Sequence, residues 1–210
     1  MHTPQEAAWR GDFGNDYTDR NMGRVPANRH FFRKALLAAR PIPMSAIELG
    51  CGAGENLTAL RQLMPAAHLE GIEINQEAAR IAKAHGHMVS EGSLLDMRPD
   101  AARYDLAFTK GVLIHIPPTE LHRAYEALVR SSRRWVLVAE YYNPTPVEIN
   151  YRGQAGMLWK RDFAGDLLAA YQELRLIDYG FLYHRDPYPQ DDLTWFLLEK
   201  HLANPDAGVR

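Results

Sequence analysis

Residues 45–56 read SAIELGCGAGEN, a short apolar run that leads into glycines at positions 50, 52 and 54. The run predicts a buried strand over Ser45–Gly50, and leucines at helical spacing predict a helix over Glu55–Leu63. The three glycines therefore lie in a strand-to-helix turn, where the absence of side chains lets the backbone approach another molecule closely. Ligands of α/β sheets bind beyond the carboxyl ends of the strands, and the free N–H groups of a helix start favour electron-rich ligand groups. The stretch predicts the floor of a ligand site.

Strands and helices alternate after this turn. We predict strands at His68–Ile74, His87–Glu91, Tyr104–Lys110 and Trp135–Glu140, and helices at Gln76–Ala84, Pro118–Ser131 and Phe163–Tyr171. Leu174–Tyr183 is predicted to supply one or two further strands, and Leu193–His201 another. Strands separated by helix-length segments indicate an α/β fold with a mostly parallel sheet and helices on both faces. The late strands indicate an antiparallel C-terminal edge on a sheet of seven strands.

The segment before Pro41 has no predicted strand, so we expect one or two helices there, the clearest at Arg29–Arg40, lying across the open end of the sheet. A length of 210 residues suits one α/β domain. We predict a single domain over 1–210, with a helical lid at 1–40, a core at 45–210 and an acceptor loop at about 141–162.

Charge and composition exclude several classes of partner. The formal net charge is -2, with 24 basic and 26 acidic residues, which gives no reason to expect nucleic acid or an anionic membrane. One cysteine excludes an internal disulfide and fits a reducing compartment. The N-terminus is polar, and every apolar run is shorter than the roughly 18 residues of a membrane span. We expect a cytoplasmic monomer or homodimer, without a metal site, because no histidines show metal-ligand spacing.

Two ligand classes use glycine turns of this kind, dinucleotides and S-adenosylmethionine. The dinucleotide pattern G-x-G-x-x-G/A places its third small residue at position 55, where this chain has Glu55. A carboxylate repels a pyrophosphate but tolerates a ligand with a cationic sulfonium and ammonium. The turn therefore argues against an NAD(P)-binding oxidoreductase, which stays as an alternative.

Glu48 through Gly54 matches the motif E/D-x-G-x-G-x-G without a gap, and the sequence here resembles the class I S-adenosylmethionine-dependent methyltransferase family. The resemblance implies a Rossmann-like fold, S-adenosylmethionine as cofactor and S-adenosylhomocysteine as product. It also implies that Glu73 holds the ribose hydroxyls and that Asp96 lies near the adenine amino group. The implied cofactor-binding residues are Glu48, Gly50, Cys51, Gly52, Gly54, Asn56, Glu73, Ile74, Ser93, Leu94, Asp96 and Lys110. For Glu48 two roles stay open: it holds the turn through backbone N–H groups, or it contacts the methionine ammonium.

A closer likeness runs through about residues 9–200. The segments WRGDFGNDYTDRN (9–21), FTKGVLIHIPP (108–118), EYYNPTPVEINYRG (140–153) and WKRDFAGDLL (159–168) resemble the pseudaminic acid biosynthesis-associated methylases. This resemblance implies a small-molecule acceptor in a biosynthetic pathway.

The lid, the turn after the fourth strand and the loop after the fifth are expected to converge over the sulfonium. Arginines in these segments suit bidentate binding of carboxylate, sulfate or phosphonate groups. We predict a small, polar, anionic acceptor such as a sugar acid, carboxylate or phosphonate, methylated on oxygen or nitrogen. The predicted acceptor-binding residues are Arg20, Asn21, His115, Tyr141, Asn143, Tyr151, Arg152, Lys160 and Arg161.

His115 and Tyr17 are the predicted catalytic residues. His115 either removes a proton from a hydroxyl acceptor, since histidine titrates near neutrality, or only orients the acceptor together with Tyr17. A non-catalytic sensor that binds the nucleoside stays as an alternative. Nucleic-acid modification is disfavoured, because the chain has no basic stripe and no appended binding domain.

Overall fold

The structure, a computed structural model, describes residues 3–98 and 102–201. Nine strands are present in this part of the chain: β1 Ser45–Leu49, β2 His68–Glu73, β3 Met88–Glu91, β4 Tyr104–Lys110, β5 Ser132–Glu140, β6 Val147–Glu148, β7 Trp159–Lys160, β8 Leu174–Leu182 and β9 Leu193–Lys200. Seven of them form one sheet in the order β3-β2-β1-β4-β5-β9-β8, and β6 pairs with β7 in a separate small ribbon. The ends of the predicted 1–210 domain lie outside the described residues.

Seven α-helices surround the sheet in the described ranges: α1 Pro4–Arg10, α2 Asp12–Arg20, α3 Val25–Ala35, α4 Glu55–Leu63, α5 Gln76–Ala84, α6 Leu121–Ser131 and α7 Phe163–Ala170. One-turn 3₁₀ helices at Leu94–Asp96 and Leu113–His115 follow β3 and β4. The predicted helices over the sheet are present within a few residues of their expected limits.

The central strands are apolar because helices cover both faces of the sheet. Side chains alternate along a strand, so neighbours enter different cores. In β4, Ala107 packs into the core that also contains Ile47 and Leu49, whereas Leu106 and Phe108 pack into the core on the other face. This two-sided burial fixes the five parallel strands and places their carboxyl ends along one edge.

The C-terminal edge is antiparallel, as the order of elements predicts. β9 runs antiparallel to β5, with Trp135 opposite Glu199, and β8 runs antiparallel to β9. Leu174–Leu182 forms one continuous strand with a bulge between Leu176 and Asp178. The mostly parallel seven-stranded sheet with helices on both faces and an antiparallel edge is Rossmann-like, as the sequence predicts.

The N-terminal segment differs from its prediction, because it forms three helices and they do not share one location. Phe31 and Phe32 of α3 are completely buried in the core beside α4, so α3 packs on a face of the sheet. The helices α1 and α2 lie over the carboxyl ends of the strands. Asn75, just after β2, holds them there by donating to Trp9 O at 3.0 Å and to Asn15 Oδ1 at 2.9 Å.

Candidate active site

Two adjoining cavities lie at the carboxyl ends of the central strands. Cavity A is enclosed by α1, α2 and the turns after β2 and β3, including Ile74 and Ser93. Cavity B lies between the glycine turn, the start of α3 and the loop after β5, including Asn56 and Tyr141. The residues that line both are Tyr17, Thr18, Gly50, Gly52, Lys110, Gly111 and His115. An elongated ligand with two parts therefore fits with its middle at this shared wall.

The glycine turn leaves space for a ligand at one position. Gly50, Gly52 and Gly54 have φ values of +81°, +52° and +82°, in the left-handed region that favours glycine. A Cβ atom on Gly50 would lie 2.7 Å from Val112 Cγ2, so Gly50 serves protein packing. Gly54 is similar, since its Cβ would lie 2.7 Å from His87 Cδ2. A Cβ on Gly52 would meet nothing within 4 Å, so Gly52 leaves open the space that a ligand in the shared wall needs.

Glu73 ends β2 and faces cavity A. Its Oε2 accepts from the Gly52 N–H at 2.7 Å, and its Oε1 accepts from the Asn75 N–H at 2.8 Å. Burial raises the pKa of this carboxyl group although the N–H donors oppose the shift. A carboxylate has about four lone-pair sites, more than its backbone donors use, so Glu73 is able to accept from a ligand hydroxyl as well.

Glu48 is completely buried beneath the turn. Its Oε1 accepts from Asn56 Nδ2 at 2.6 Å. Within the described residues, Glu48 Oε2 and Asn56 Oδ1 have no hydrogen-bond partner. Burial raises the pKa of Glu48 to about 8. Unpaired polar groups are costly in a protein interior. Asn56 lines cavity B, and Glu48 lies just behind it, outside the lining of both cavities. A ligand ammonium in cavity B would favour the ionised form of Glu48 and give both groups a donor. Holding the turn through backbone N–H groups is the less favoured of the two roles for Glu48, since Asn56 is its hydrogen-bond donor.

Lys110 is the cation at the shared wall. Burial lowers its pKa to about 8, and the nearby Glu48 carboxyl opposes that shift. Its Nζ lies 5.8 Å from the centre of the Phe31 ring. Cys51 lines cavity B, but burial raises the pKa of its thiol, so it stays a packed, protonated group.

His115 has a fixed tautomer. Its Nδ1 lies 2.7 Å from Met157 O, and a carbonyl only accepts, so Nδ1 carries the proton and Nε2 has a free lone pair. Burial lowers the pKa of His115 to about 4, which keeps the ring neutral at pH 7. The ring packs 4.7 Å from Trp9 and 5.2 Å from Tyr151, centre to centre. Tyr17 is protonated beside it, since burial raises its pKa to about 12.

Glu140 ends β5 and holds the turn that carries Lys110 and His115. Its Oε1 accepts from Thr109 Oγ1 at 3.0 Å and from the N–H groups of Val112 and Leu113 at 3.2 and 3.1 Å. Its Oε2 accepts from the Ile114 N–H at 3.4 Å. Burial raises the pKa of Glu140 to about 7. Sequence analysis missed this residue, although the signal was available: like Glu73, it is an acid at the end of a buried strand.

The predicted acceptor-binding residues divide into two groups. Asn21, His115, Tyr141 and Tyr151 line cavity B. The other five, Arg20, Asn143, Arg152, Lys160 and Arg161, lie outside the lining of both cavities.

Local partners account for three of these placements. Arg161 pairs with Asp166 of α7 at 2.7 Å, and Lys160 Nζ lies 5.2 Å from the centre of the Tyr141 ring. Asn143 is engaged with its own loop by donating to Thr145 O. Arg20 and Arg152 are exposed on the surface.

Asp96 also lies outside both cavities. Its carboxylate is 3.2 Å from Arg123 of α6, and 58% of its side chain is exposed. This placement does not favour the contact with an adenine amino group that the sequence predicts. The other residues predicted around the nucleoside, Glu73, Ile74, Ser93 and Leu94, line cavity A.

Several lining residues were missed by sequence analysis. Arg24 and Asp191 face each other across cavity B, with 3.8 Å between guanidinium and carboxylate. Trp9 lines cavity A, and its ring lies 5.1 Å from those of Phe13 and Tyr17. The four-residue spacing of Phe13 and Tyr17 is a signal for one face of α2, whereas Trp9 lies on α1. Asp191, in the β8–β9 connection, has no comparable signal.

Two negative findings apply to residues 3–98 and 102–201. None of the helices there combines the length and apolar character that crossing a membrane requires. Within the same ranges, no three His, Cys, Asp or Glu side chains form a group able to hold a metal ion.

Comparison with known proteins adds a family match. A family model described as "Methyltransferase domain" matches residues 46–134, which contain the glycine turn, Glu73 and His115. No curated protein matches the chain significantly. The resemblance to the pseudaminic acid-associated methylases receives no support from these comparisons.

Solved structures of similar fold include three methyltransferases. Magnesium protoporphyrin IX methyltransferase (ChlM) from Synechocystis PCC 6803 with bound SAH has a TM-score of 0.69 and 15% identity, covering 93% of this chain and 98% of that one. The 1,6-didemethyltoxoflavin-N1-methyltransferase of Burkholderia thailandensis has a TM-score of 0.69 and 16% identity, covering 95% of this chain and 91% of that one. The plantazolicin methyltransferase BpumL in complex with SAH has a TM-score of 0.65 and 13% identity, covering 94% of each chain. Likenesses at these identities establish the fold. The domain match indicates a methyltransferase.

Proposed function

We propose that this methyltransferase moves the methyl group of S-adenosylmethionine onto an oxygen or nitrogen atom of a small, polar, anionic acceptor. The observation that carries the proposal is the pair of adjoining cavities that share Gly52, Lys110 and His115 in their lining. A nucleoside in cavity A and an amino-acid end in cavity B place the reacting centre at the shared wall.

The chain's own residues fit both ends of the cofactor. Glu73 accepts from the ribose hydroxyls in cavity A, beside Ile74. The unpaired oxygens of Glu48 and Asn56 accept from the ammonium, and Lys110 binds the carboxylate. When bound, the cofactor supplies a methyl group on a cationic sulfur.

The acceptor occupies the part of cavity B near Tyr141, Tyr151 and His115. Transfer is an in-line displacement at the methyl carbon, so alignment matters most, and positioning alone supplies roughly 7–11 kcal/mol. If the acceptor is a hydroxyl, the free Nε2 of His115 takes its proton. If the acceptor atom is already an anion, His115 and Tyr17 only orient it.

An anionic acceptor is supported by Arg24, which lines cavity B and is not used by the cofactor. The four lysine and arginine residues that the sequence predicts for this role lie outside both cavities: Arg20, Arg152, Lys160 and Arg161. Asp191 offsets Arg24 in part, and it is 58% exposed, so solvent screens the pair. A ligand carboxylate is able to replace Asp191 as the partner of Arg24.

The test is a screen of sugar acids, carboxylates and phosphonates, each paired with its neutral amide or alcohol, by formation of S-adenosylhomocysteine. We expect turnover with an anionic acceptor and little with its neutral pair. Turnover of the neutral members alone would contradict the charge assignment. If S-adenosylhomocysteine binds but no acceptor is turned over, the chain is a non-catalytic nucleoside-binding protein instead.

A further inference from the structure

The N-terminal helix α1 contributes Gln5 and Trp9 to the lining of cavity A, which also includes Ile74 and Leu94. On the proposed function, cavity A receives the adenine base of the nucleoside. The turn after β3 gives that base no carboxylate, since Asp96 points to Arg123 at the surface. Recognition of the base therefore depends on the other polar groups around the cavity.

Most polar side chains of cavity A are already engaged. Asn75 uses its amide nitrogen on α1 and α2 and its oxygen on the Ala78 N–H at 2.8 Å. Ser93 Oγ accepts from the Leu95 N–H at 3.1 Å. Glu6 Oε2 accepts from the Thr3 N–H at 2.7 Å in the capping box of α1. These groups hold the protein's own backbone.

Two polar atoms of these α1 side chains are buried and, in the part of the chain that the structure describes, make no hydrogen bond: Gln5 Oε1, an acceptor, and Trp9 Nε1–H, a donor. The orientation of the Gln5 amide is fixed, because its Nε2 donates to Gly156 O at 2.8 Å. The reversed amide would place two oxygens together. Buried polar groups in native proteins are nearly always paired, so these two atoms indicate a ligand with a matching donor and acceptor.

The edge of adenine presents that combination, an exocyclic amino group next to ring nitrogens with free lone pairs. We propose that α1 reads the base of the cofactor, with Gln5 Oε1 accepting from the amino group and Trp9 Nε1–H donating to a ring nitrogen. Gln5 is thus a specificity-determining residue for the nucleoside.

The experiment measures affinity for S-adenosylhomocysteine and for its deaminated analogue, S-inosylhomocysteine, which has a carbonyl in place of the amino group. The unmodified protein should prefer the adenine form about tenfold or more, the effect of one lost hydrogen bond and one unpaired acceptor. Gln5→Met, similar in shape but without the amide, should bring the ratio close to one. Gln5→Glu keeps an acceptor oxygen but loses the bond to Gly156, and should keep the preference. Asp96→Asn should keep it as well.

If Gln5→Met still prefers S-adenosylhomocysteine to S-inosylhomocysteine, this inference is overturned. It is also overturned if Asp96→Asn or Glu6→Gln loses that preference while Gln5→Met keeps it. A merely structural role for Gln5 would weaken both nucleosides equally in Gln5→Met and Gln5→Glu, which also overturns it. In each of these cases S-adenosylhomocysteine still binds, so the proposed function stands. If the unmodified protein binds neither nucleoside, the proposed function fails together with this inference.

Discussion

Glu73 Oε2 accepts a hydrogen bond from the backbone N–H of Gly52 at 2.7 Å, which ties the end of β2 to the middle of the glycine turn. The bond fixes Gly52, the glycine of this turn at which an added Cβ atom would meet nothing within 4 Å. It also orients the carboxylate toward cavity A. The first prediction follows from this arrangement.

Gly52→Ala should abolish or strongly weaken cofactor binding while the protein still folds. Its matched control is Gly86→Ala, at the end of α5 and outside the lining of both cavities. Gly86 also has a positive φ, +81°, and a Cβ there would likewise meet nothing within 4 Å. Each substitution should lower the free energy of unfolding by about 1–2 kcal/mol. Calorimetry with S-adenosylhomocysteine should show loss of affinity only in Gly52→Ala; equal affinities would mean that the ligand does not approach Gly52.

His115→Gln tests the proton-transfer role. If His115 removes a proton from a hydroxyl, kcat should fall about 10²–10⁴-fold with little change in the KM of S-adenosylmethionine. Because burial holds the pKa of His115 near 4 instead of 6.5, its basic form persists down to low pH. The pH profile of the unmodified enzyme should therefore lack a fall in kcat between pH 7 and 5.5 due to this residue. Unchanged kcat in His115→Gln would leave His115 with an orienting role alone.

Glu140→Ala should damage both stability and catalysis, because it leaves one hydroxyl and three backbone N–H groups without their acceptor. We expect a loss of about 3 kcal/mol in the free energy of unfolding, with a lower kcat. Glu140→Gln should be milder, since one amide oxygen can take the three bonds now made by Oε1. Glu126→Ala, on the exposed face of α6, is the control and should change stability by about 0.5 kcal/mol or less. Chemical denaturation measures the free energy of unfolding of the three variants. Equal values for all three would contradict the structural role of Glu140.

Arg24→Met and Arg152→Met compare an arginine that lines cavity B with one that lies outside it. Arg24→Met should raise the KM of an anionic acceptor about tenfold, since one charge-assisted contact is lost. Arg152→Met should leave that KM within about twofold, because Arg152 is exposed and outside the cavity. A larger effect in Arg152→Met would place the acceptor nearer the tip of the loop. A larger effect of Arg24→Met on the KM of S-adenosylmethionine would assign Arg24 to the cofactor instead.

The sequence predicted the sheet well, because buried parallel strands are continuous apolar runs and the alternating glycines mark the turn that follows β1. The same signal located Glu48, Glu73 and His115 at the carboxyl edge. It did not predict which charged side chains face inward. Arg161 and Asp96 are drawn to partners on α7 and α6, and the positions of those helices follow from packing across the whole sheet.

Contacts between residues far apart in the sequence could not be predicted either. Arg24 and Asp191 meet across cavity B only because α3 and the β8–β9 connection dock together, partly through Gln190 Nε2 donating to Ala27 O at 2.9 Å. No local pattern announces such a pair. The three-helix arrangement of the N-terminus has the same cause, since the burial of Phe31 and Phe32 depends on the neighbouring helix α4.

Titration calorimetry of the purified chain with S-adenosylmethionine and S-adenosylhomocysteine tests most directly whether the joined cavities hold this cofactor. We predict saturable heat for both compounds at one molecule per chain, with the signal greatly reduced in Glu73→Ala. A flat trace with both compounds would contradict the assignment of the cavities and everything derived from it.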